Sequence, residues 1–261
     1  MSARVRSLQG AAAFVDRAGI VLVFAKEGIE LASLSEAVAG PGPFQWMEEN
    51  EDGKVQFRPE AARVWEWKDR LAADRLACAG KHVRGWPALV SLALLPALYA
   101  LTGRSGEADD FRQEDLPPLE REVAEVVLAA GPVDSREIRR LLGGRDTGRV
   151  NRAIDSLQRR MILTRAGTVE REAGWPGTAY DVLAGRYADR LRGLPGPDEA
   201  RAEVAAAVLR RGPLSVGDLR RAIGFTSTEA LAALQQLADE GRARREGRGP
   251  GAVWTAAAAR R

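Results

Sequence analysis

The feature that most constrains this chain is an internal repeat with an offset of about 80 residues. The segment VLAAGPVDSREIRRLLGG, starting at Val127, lies over VLRRGPLSVGDLRRAIGF, starting at Val208. Gly131-Pro132 then matches Gly212-Pro213, and Arg139-Arg140 matches Arg220-Arg221. After a one-residue gap, Val150, Ile154 and Leu157 fall on Ala230, Leu234 and Leu237, the spacing of one buried helix face. A duplication of this kind requires a compact unit that folds twice.

Each copy reads as a helix, a Gly-Pro turn, a short helix, a glycine-bearing turn, a longer helix and an extended basic segment, which is the order of a winged helix. The spacing predicts helices over 119–130, 134–142 and 146–160, then a hairpin from Ile162 to Leu183 around Gly174 and Pro176-Gly177. In the second copy it predicts helices over 198–211, 215–223 and 226–240, then a hairpin from Arg242 to Thr255 turning at Gly247 to Gly251. Asp134, Ser135 and Ser215 are N-cap types, and the Gly-Pro pairs stop the preceding helices.

The expected fold is therefore mainly α with small β wings, built of tandem winged-helix domains over 118–194 and 195–261. A mainly helical N-terminal domain over 1–117 precedes them and is open to being a degenerate winged helix. LRGLPGPDE joins the two copies, and the polar, acidic stretch from Gly103 to Pro118 marks the other boundary. Within the first segment we expect a helix from about Leu8 to Lys26, a turn at 40–43, a hairpin around Glu51 to Gly53, and a helix near Pro59 to Ala79. Val64, Trp67 and Leu71 share one face of that last helix.

Composition excludes several classes. One cysteine, Cys78, rules out a disulfide framework, and with the lone His82 it cannot close a zinc site, so neither metal nor cofactor is expected. GGRDTGR at 143–149 lacks the lysine and spacing of a phosphate loop. The opening MSARVRSLQG is not expected to be part of a signal peptide, because Asp16 and Arg17 interrupt the apolar stretch that begins at Ala11. The apolar segments Ala18–Ala25 and Pro87–Leu101 fall short of the roughly 20 residues of a bilayer span. A cytoplasmic protein without membrane contact is expected.

The net charge of +3 conceals an asymmetry. Residues 1–118 carry 14 Lys and Arg against 17 Asp and Glu, whereas residues 119–261 carry 25 against 19. All four lysines lie at or before Lys81, so the later bases are arginines, whose fork engages phosphate or guanine bidentately. Arginine-favouring codon usage is the other source of this bias.

Arg145, Thr147, Arg149, Asn151, Arg152, Arg159 and Arg160 fall on or beside the third helix of the first copy, largely off its apolar face, where they could meet phosphates and base edges. The alternative is a solvated face balanced by Asp146 and Asp155. The third helix of the second copy is acidic, but its wing carries Arg242, Arg244, Arg245 and Arg248 among glycines, a composition suited to a phosphate backbone. A protein-interaction role is the alternative for that copy. In VWEWKDRLAADRLACAGKHVRGWP, tryptophans at helical spacing are expected in a core. Lys81 and Arg84, between Gly80 and Gly85, form either a phosphate clamp or a solvated turn. Cys78 is apolar in setting and not expected to be a nucleophile.

The run VWEWKDRLAADRLACAGKHVRG, followed by LVSLALLPALYALTG and the GP(V/L)xSxxxLRRxxG type of segment, resembles AlkZ-related proteins, relatives of the bacterial crosslink-repair DNA glycosylases of the AlkZ and YcaQ type. The resemblance runs from about Phe14 to Trp254 and implies tandem winged-helix elements forming a basic channel for duplex DNA. Glycosylases of that superfamily carry a triplet of Gln, an apolar residue, then Gln or Asp, which this chain lacks. In Gln45-Trp46-Met47-Glu48 the acid comes one place late.

These observations favour a DNA-binding protein, non-catalytic, in a repair or damage-recognition setting, with double-stranded DNA as partner. The alternatives are a DNA glycosylase whose carboxylate is Glu48, Glu49 or Asp69, and a protein-interaction scaffold or transcriptional regulator.

Overall fold

The computed structural model describes residues 4–172 and 175–257. Gly174, expected at the turn of the first repeat's hairpin, lies outside the described residues.

The repeat copies fold as the periodicity predicts. The first has α5 (Pro118–Ala130), β7 (Val133–Asp134), α6 (Ser135–Leu141), α7 (Thr147–Arg159) and the hairpin β8 (Leu163–Val169) and β9 (Gly177–Val182), closed by the short α8 (Leu183–Arg186). The second has α9 (Pro197–Leu209), β10 (Leu214–Ser215), α10 (Val216–Ile223), α11 (Ser227–Asp239) and the hairpin β11 (Ala243–Glu246) and β12 (Val253–Ala256). Local chemistry sets their starts. Asp134 accepts from the amides of Arg136 and Glu137, and Ser215 and Thr226 form reciprocal capping boxes with Asp218 and Glu229.

The N-terminal segment runs through the same order with additions: α1 (Leu8–Ala18), β1 (Ile20–Leu22), β2 (Ala32–Ser33), α2 (Leu34–Ala39), an inserted hairpin β3 (Met47–Glu49) and β4 (Val55–Phe57), α3 (Pro59–Ala73), then β5 (Cys78–Val83) and β6 (Trp86–Val90). The helix α4 (Leu95–Ala100) follows. The expected helix to Lys26 stops at Ala18, where Gly19 takes φ +79, and the expected helix to Ala79 stops at Ala73.

Sheet content corrects the expectation of a mainly α fold with small β wings. Among the described residues a seven-stranded mixed sheet runs in the order β2-β1-β6-β5-β8-β9-β7. The hairpin of the first repeat copy is therefore not a free wing. Its strand β8 pairs antiparallel with β5, Ala79 opposite Arg165, and continues a sheet begun by the N-terminal segment. The helical expectation failed because the middle strands are buried on both faces. Ile20 and Leu22 pack into one core and Val21 and Val23 into another, as Cys78 and Ala79, or Val90 and Leu89, also do. Such strands read as unbroken apolar runs, without the alternation that betrays a half-exposed strand. Beneath one face lie α1, α2 and α3; the other face packs on α4, α9 and the second repeat copy. A third core gathers α5, α6 and α7 against β8 and β9.

The acidic stretch after α4 is pinned down. Asp110 is buried, accepts hydrogen bonds from the Tyr99 hydroxyl at 2.8 Å and the Gly106 amide at 2.9 Å, and lies 3.8 Å from Arg104. Burial raises the Tyr99 hydroxyl above its ordinary value, so it stays a donor.

At the seam between α3 and β8, Gly167 has φ +117, and a β-carbon there would lie 2.9 Å from that of Ala73. Gly167→Ala combines backbone strain with overpacking and should cost about 2–4 kcal/mol of stability, measured by urea unfolding. A change below about 0.5 kcal/mol would mean the seam is looser than this geometry implies.

Candidate nucleic-acid interface

The helix α7 buries Val150, Ile154 and Leu157, which leaves Arg149, Asn151, Arg152 and Arg159 exposed. At 3.6 residues per turn, Arg152 and Arg159 point almost directly away from that apolar face. Its C-terminal half is fastened to β5. Lys81 Nζ bonds Asp155 Oδ2 at 2.6 Å, and His82 Nδ1 donates to the Gln158 carbonyl at 2.9 Å. The His82 ring lies over Gly80, where a β-carbon would collide with it. Burial holds His82 neutral, with its pKa lowered to about 4.

This fastening brings the tip of the β5–β6 hairpin beside α7. Arg84 and Gly85 form its two-residue turn with φ +54 and +77, a type I′ geometry that disfavours an arginine. Arg159 packs over Gly85, and Arg84 reaches across to Gly224 at the end of α10, each filling the space a glycine leaves. Arg84 lines an open groove of about 450 Å³ with Arg220, Arg221, Gly224, Phe225 and Thr226. Exposed Arg84 and Arg220 thus share this groove, and exposed Arg159 flanks the turn from α7, so the N-terminal segment and both repeat copies each bring an arginine to the neighbourhood of the β5–β6 turn. Among the described residues none of the three forms an ion pair, whereas Arg221 is held by Asp218.

The other sequence-predicted positions divide by their partners. Arg145 pairs with Glu122 at 3.2 Å, Lys81 with Asp155 at 2.6 Å, and Arg242 with Glu203 at 2.7 Å and Glu240 at 2.9 Å. Those hydrogen-bonded carboxylates raise Arg242 further above its usual range. Arg149, Arg152, Arg244 and Arg248 are exposed, and Arg245 stacks over the Trp254 ring at 5.6 Å. The hairpin β11–β12 belongs to a separate three-stranded sheet, so its arginines do not share an element with those of α7.

A second feature escaped the sequence. Trp67 is in the core as expected, but Trp65 is 45% exposed and Trp175, on the loop between β8 and β9, is 68% exposed. Together with Lys68, Asp69 and Thr168 they line a cleft of about 320 Å³ between α3 and that hairpin. Trp65 packs edge-on against Trp46, and Trp175 against Phe57, with centroids 6.0 and 6.1 Å apart. Lys68 is almost fully covered, its Nζ 2.6 Å from Asp69 Oδ2 and 4.1 Å from the centre of the Trp65 ring. Desolvation is the largest influence on it and lowers its pKa. Trp65 sits off the Val64, Trp67, Leu71 stripe, which was the available sequence signal. Nothing in sequence indicates that Trp175, 110 positions on, faces it.

Of the carboxylates considered, Asp69 lies in this cleft, while Glu48 and Glu49 lie on the inserted hairpin, Glu48 held by Arg58 at 3.5 Å. Cys78 is fully buried, which pushes its thiol up to about 12 and leaves it inert. No helix among the described residues is long and apolar enough to cross a membrane.

Comparison with known proteins adds the following. The model of the family described as AlkZ related matches residues 5–210. Streptomyces sahachiroi DNA glycosylase AlkZ is structurally similar, with a TM-score of 0.56 at 17% sequence identity over 94% of this chain. The chain covers 64% of that protein's length. The DIP2311 protein from Corynebacterium diphtheriae aligns at 18% identity over 76% of this chain and 39% of its own, with a TM-score of 0.23 that supports no argument about the fold. No curated protein matches this chain.

Two expectations follow from the geometry. His82 is neutral in the fold and protonates more readily in the unfolded chain, so stability is retained above pH 6.5 and lost as pH falls from 6.5 towards about 4. The loss should approach about 3 kcal/mol and should be absent from His82→Gln; parallel pH profiles for the two proteins would refute it. In the turn, Arg84→Asn exchanges a strained residue for one suited to φ > 0 and should raise the urea midpoint by the equivalent of up to about 1 kcal/mol.

Proposed function

This chain belongs to the AlkZ-related family, and from that premise we propose that it binds double-stranded DNA through the arginines gathered around the β5–β6 turn. The observation that carries the proposal is that Arg84 and Arg220 line one open groove, and Arg159 packs on Gly85 at the turn beside it, all three without carboxylate partners among the described residues. Arg149 and Arg152 extend this surface along α7. Placing unpaired arginines together is electrostatically unfavourable unless an anion is to be met, and a duplex supplies a regular row of phosphates. The winged-helix order of the units supports the proposal, because that arrangement presents its third helix and hairpin to duplex grooves. The likeness to a protein named a DNA glycosylase supports a setting in DNA repair.

The role we propose is recognition. Glu48 and Glu49 sit on an exposed hairpin and are not placed to position water for base excision, and Asp69 is engaged by Lys68. Arg242, Arg145 and Lys81 contribute less than their sequence positions imply, since each must first leave a carboxylate. Arg244, Arg245 and Arg248 make a separate, weaker contact with the backbone.

Affinity for a generic duplex should fall steeply with salt. Arg84→Gln, Arg159→Gln and Arg220→Gln together should weaken binding at least about 10-fold at moderate salt and reduce the slope of log K against log salt by roughly 2 to 3. Arg145→Gln with Arg242→Gln should change affinity less than about 3-fold. Fluorescence anisotropy over a salt series reads both. Absence of binding at low salt, or equal losses from the two sets, would overturn the proposal.

A further inference from the structure

The cleft between Trp65 and Trp175 holds a lysine that DNA binding at the arginine groove does not use. Lys68 projects from the middle of α3, with only 8% of its side chain exposed, and it lines the cleft beside Asp69. Consecutive residues on a helix point about 100° apart, yet Lys68 and Asp69 meet at 2.6 Å and both line this cleft. Glu66 and Arg70 stand at its rim, and Arg165 approaches Lys68 from β8. Two exposed indoles, Trp65 and Trp175, line the opening, and exposed aromatic rings of this kind are surfaces on which unstacked bases stack.

We propose that Lys68 is the nucleophile of an imine-forming site for the aldehyde of abasic DNA, with Asp69 carrying the proton. This rests on the DNA-binding proposal above. The Lys68 ammonium passes a proton to the Asp69 carboxylate, and the freed amine attacks C1′ of the ring-opened deoxyribose. The carbon–nitrogen bond forms as the carbonyl π pair moves to oxygen, and a proton passes from the nitrogen to that oxygen to give the neutral carbinolamine. Asp69 returns the proton to the carbinolamine hydroxyl, which leaves as water, and the nitrogen lone pair completes a protonated imine. Ammonium and aldehyde thus become iminium and water, with no oxidant or reductant. Burial favours the step by depressing the basicity of Lys68. Trp65 and Trp175 stack on the bases left exposed beside a missing one. The site holds a lesion in which the base is already lost.

The test is borohydride trapping. The full chain is incubated with a duplex bearing one abasic site in the presence of sodium cyanoborohydride, which reduces the imine to a stable secondary amine. We expect a covalent protein–DNA species whose crosslinked peptide contains Lys68 by mass spectrometry of the unaltered protein. Lys68→Arg should lower its yield at least 20-fold, while Lys54→Arg leaves it unchanged. Asp69→Asn should slow trapping at least 10-fold without reducing affinity for a duplex bearing a tetrahydrofuran abasic analogue, which has no aldehyde. Adduct at the N-terminus or another lysine instead of Lys68 would overturn the inference. So would equal trapping by free 2-deoxyribose 5-phosphate, which would mark a generic reactive amine. Binding of the tetrahydrofuran duplex separates the two levels. No binding defeats the DNA proposal itself, whereas binding without a Lys68 adduct defeats only this one.

Discussion

The antiparallel junction of β5 with β8 is the contact on which the rest of this structure depends. It is short: Ala79 lies opposite Arg165, and the Thr164 hydroxyl donates to the Ala79 carbonyl at 2.9 Å beside the buried Cys78 thiol. Two hairpins that would each expose an edge cover one another there, removing two unpaired ladders at once. The junction also sets what lies above and below it. It brings α3 against β8, so that Trp65 and Trp175 flank one cleft, and it brings α7 against β5, so that Arg159 meets the turn at Arg84. With free wings, neither constellation would exist. A chain assembled from duplicated units acquires its candidate sites at the joints between them.

That dependence explains what was legible beforehand. The helices α5 to α7, α10 and α11 fall within a residue or two of their expected bounds because each has one wet face and one dry face and so carries the 3.6-residue period, whereas α9, buried nearly all round, was bounded by Pro197 and the Gly212-Pro213 turn. The strands Ile20–Leu22, Cys78–Val83 and Trp86–Val90 are dry on both faces and carry no period. Recognising them requires knowing that a second layer covers the sheet, and this is tertiary information. The same limit applies to the arginines. That Arg145 and Arg242 are exposed follows from their place in the polar turns just before α7 and β11. That Glu122 and Glu203 neutralise them, 23 and 39 positions away, does not. Arg220 was visible only as a marker of the repeat; its importance comes from Arg84 packing against Gly224.

Sorting arginines by partner matters more than counting them. An exposed ion pair contributes at most about 1 kcal/mol, but it must be broken before its arginine can bind phosphate, and the stranded carboxylate then repels the duplex. The paired and unpaired arginines therefore differ in what they offer an anion, though they contribute equally to net charge. The clustering at the β5–β6 turn has a second cost, since Arg84 occupies a left-handed conformation that asparagine or glycine would adopt with less strain. A residue that is both strained and electrostatically crowded is poorly explained by stability. It is better explained by a ligand.

The same reasoning bears on Lys68. Leucine or methionine at that position would fill the space beneath Trp65 without desolvating a charge, and a buried ion pair is commonly no more stabilising than an apolar replacement. Trp65 and Trp175 are likewise large apolar rings left 45% and 68% exposed, where smaller polar residues would suffice. One such departure from good packing is unremarkable. Here a covered ammonium, its carboxylate and two exposed indoles depart together, around a single opening at the joint of two units. Departures that share one location are what a binding site requires, because its groups remain under-satisfied until the ligand arrives. The Lys68 cleft and the Arg84 groove share no residue, yet both lie on elements tied to the same β5–β8 junction, α3 and β8 for the first and the β5–β6 turn for the second.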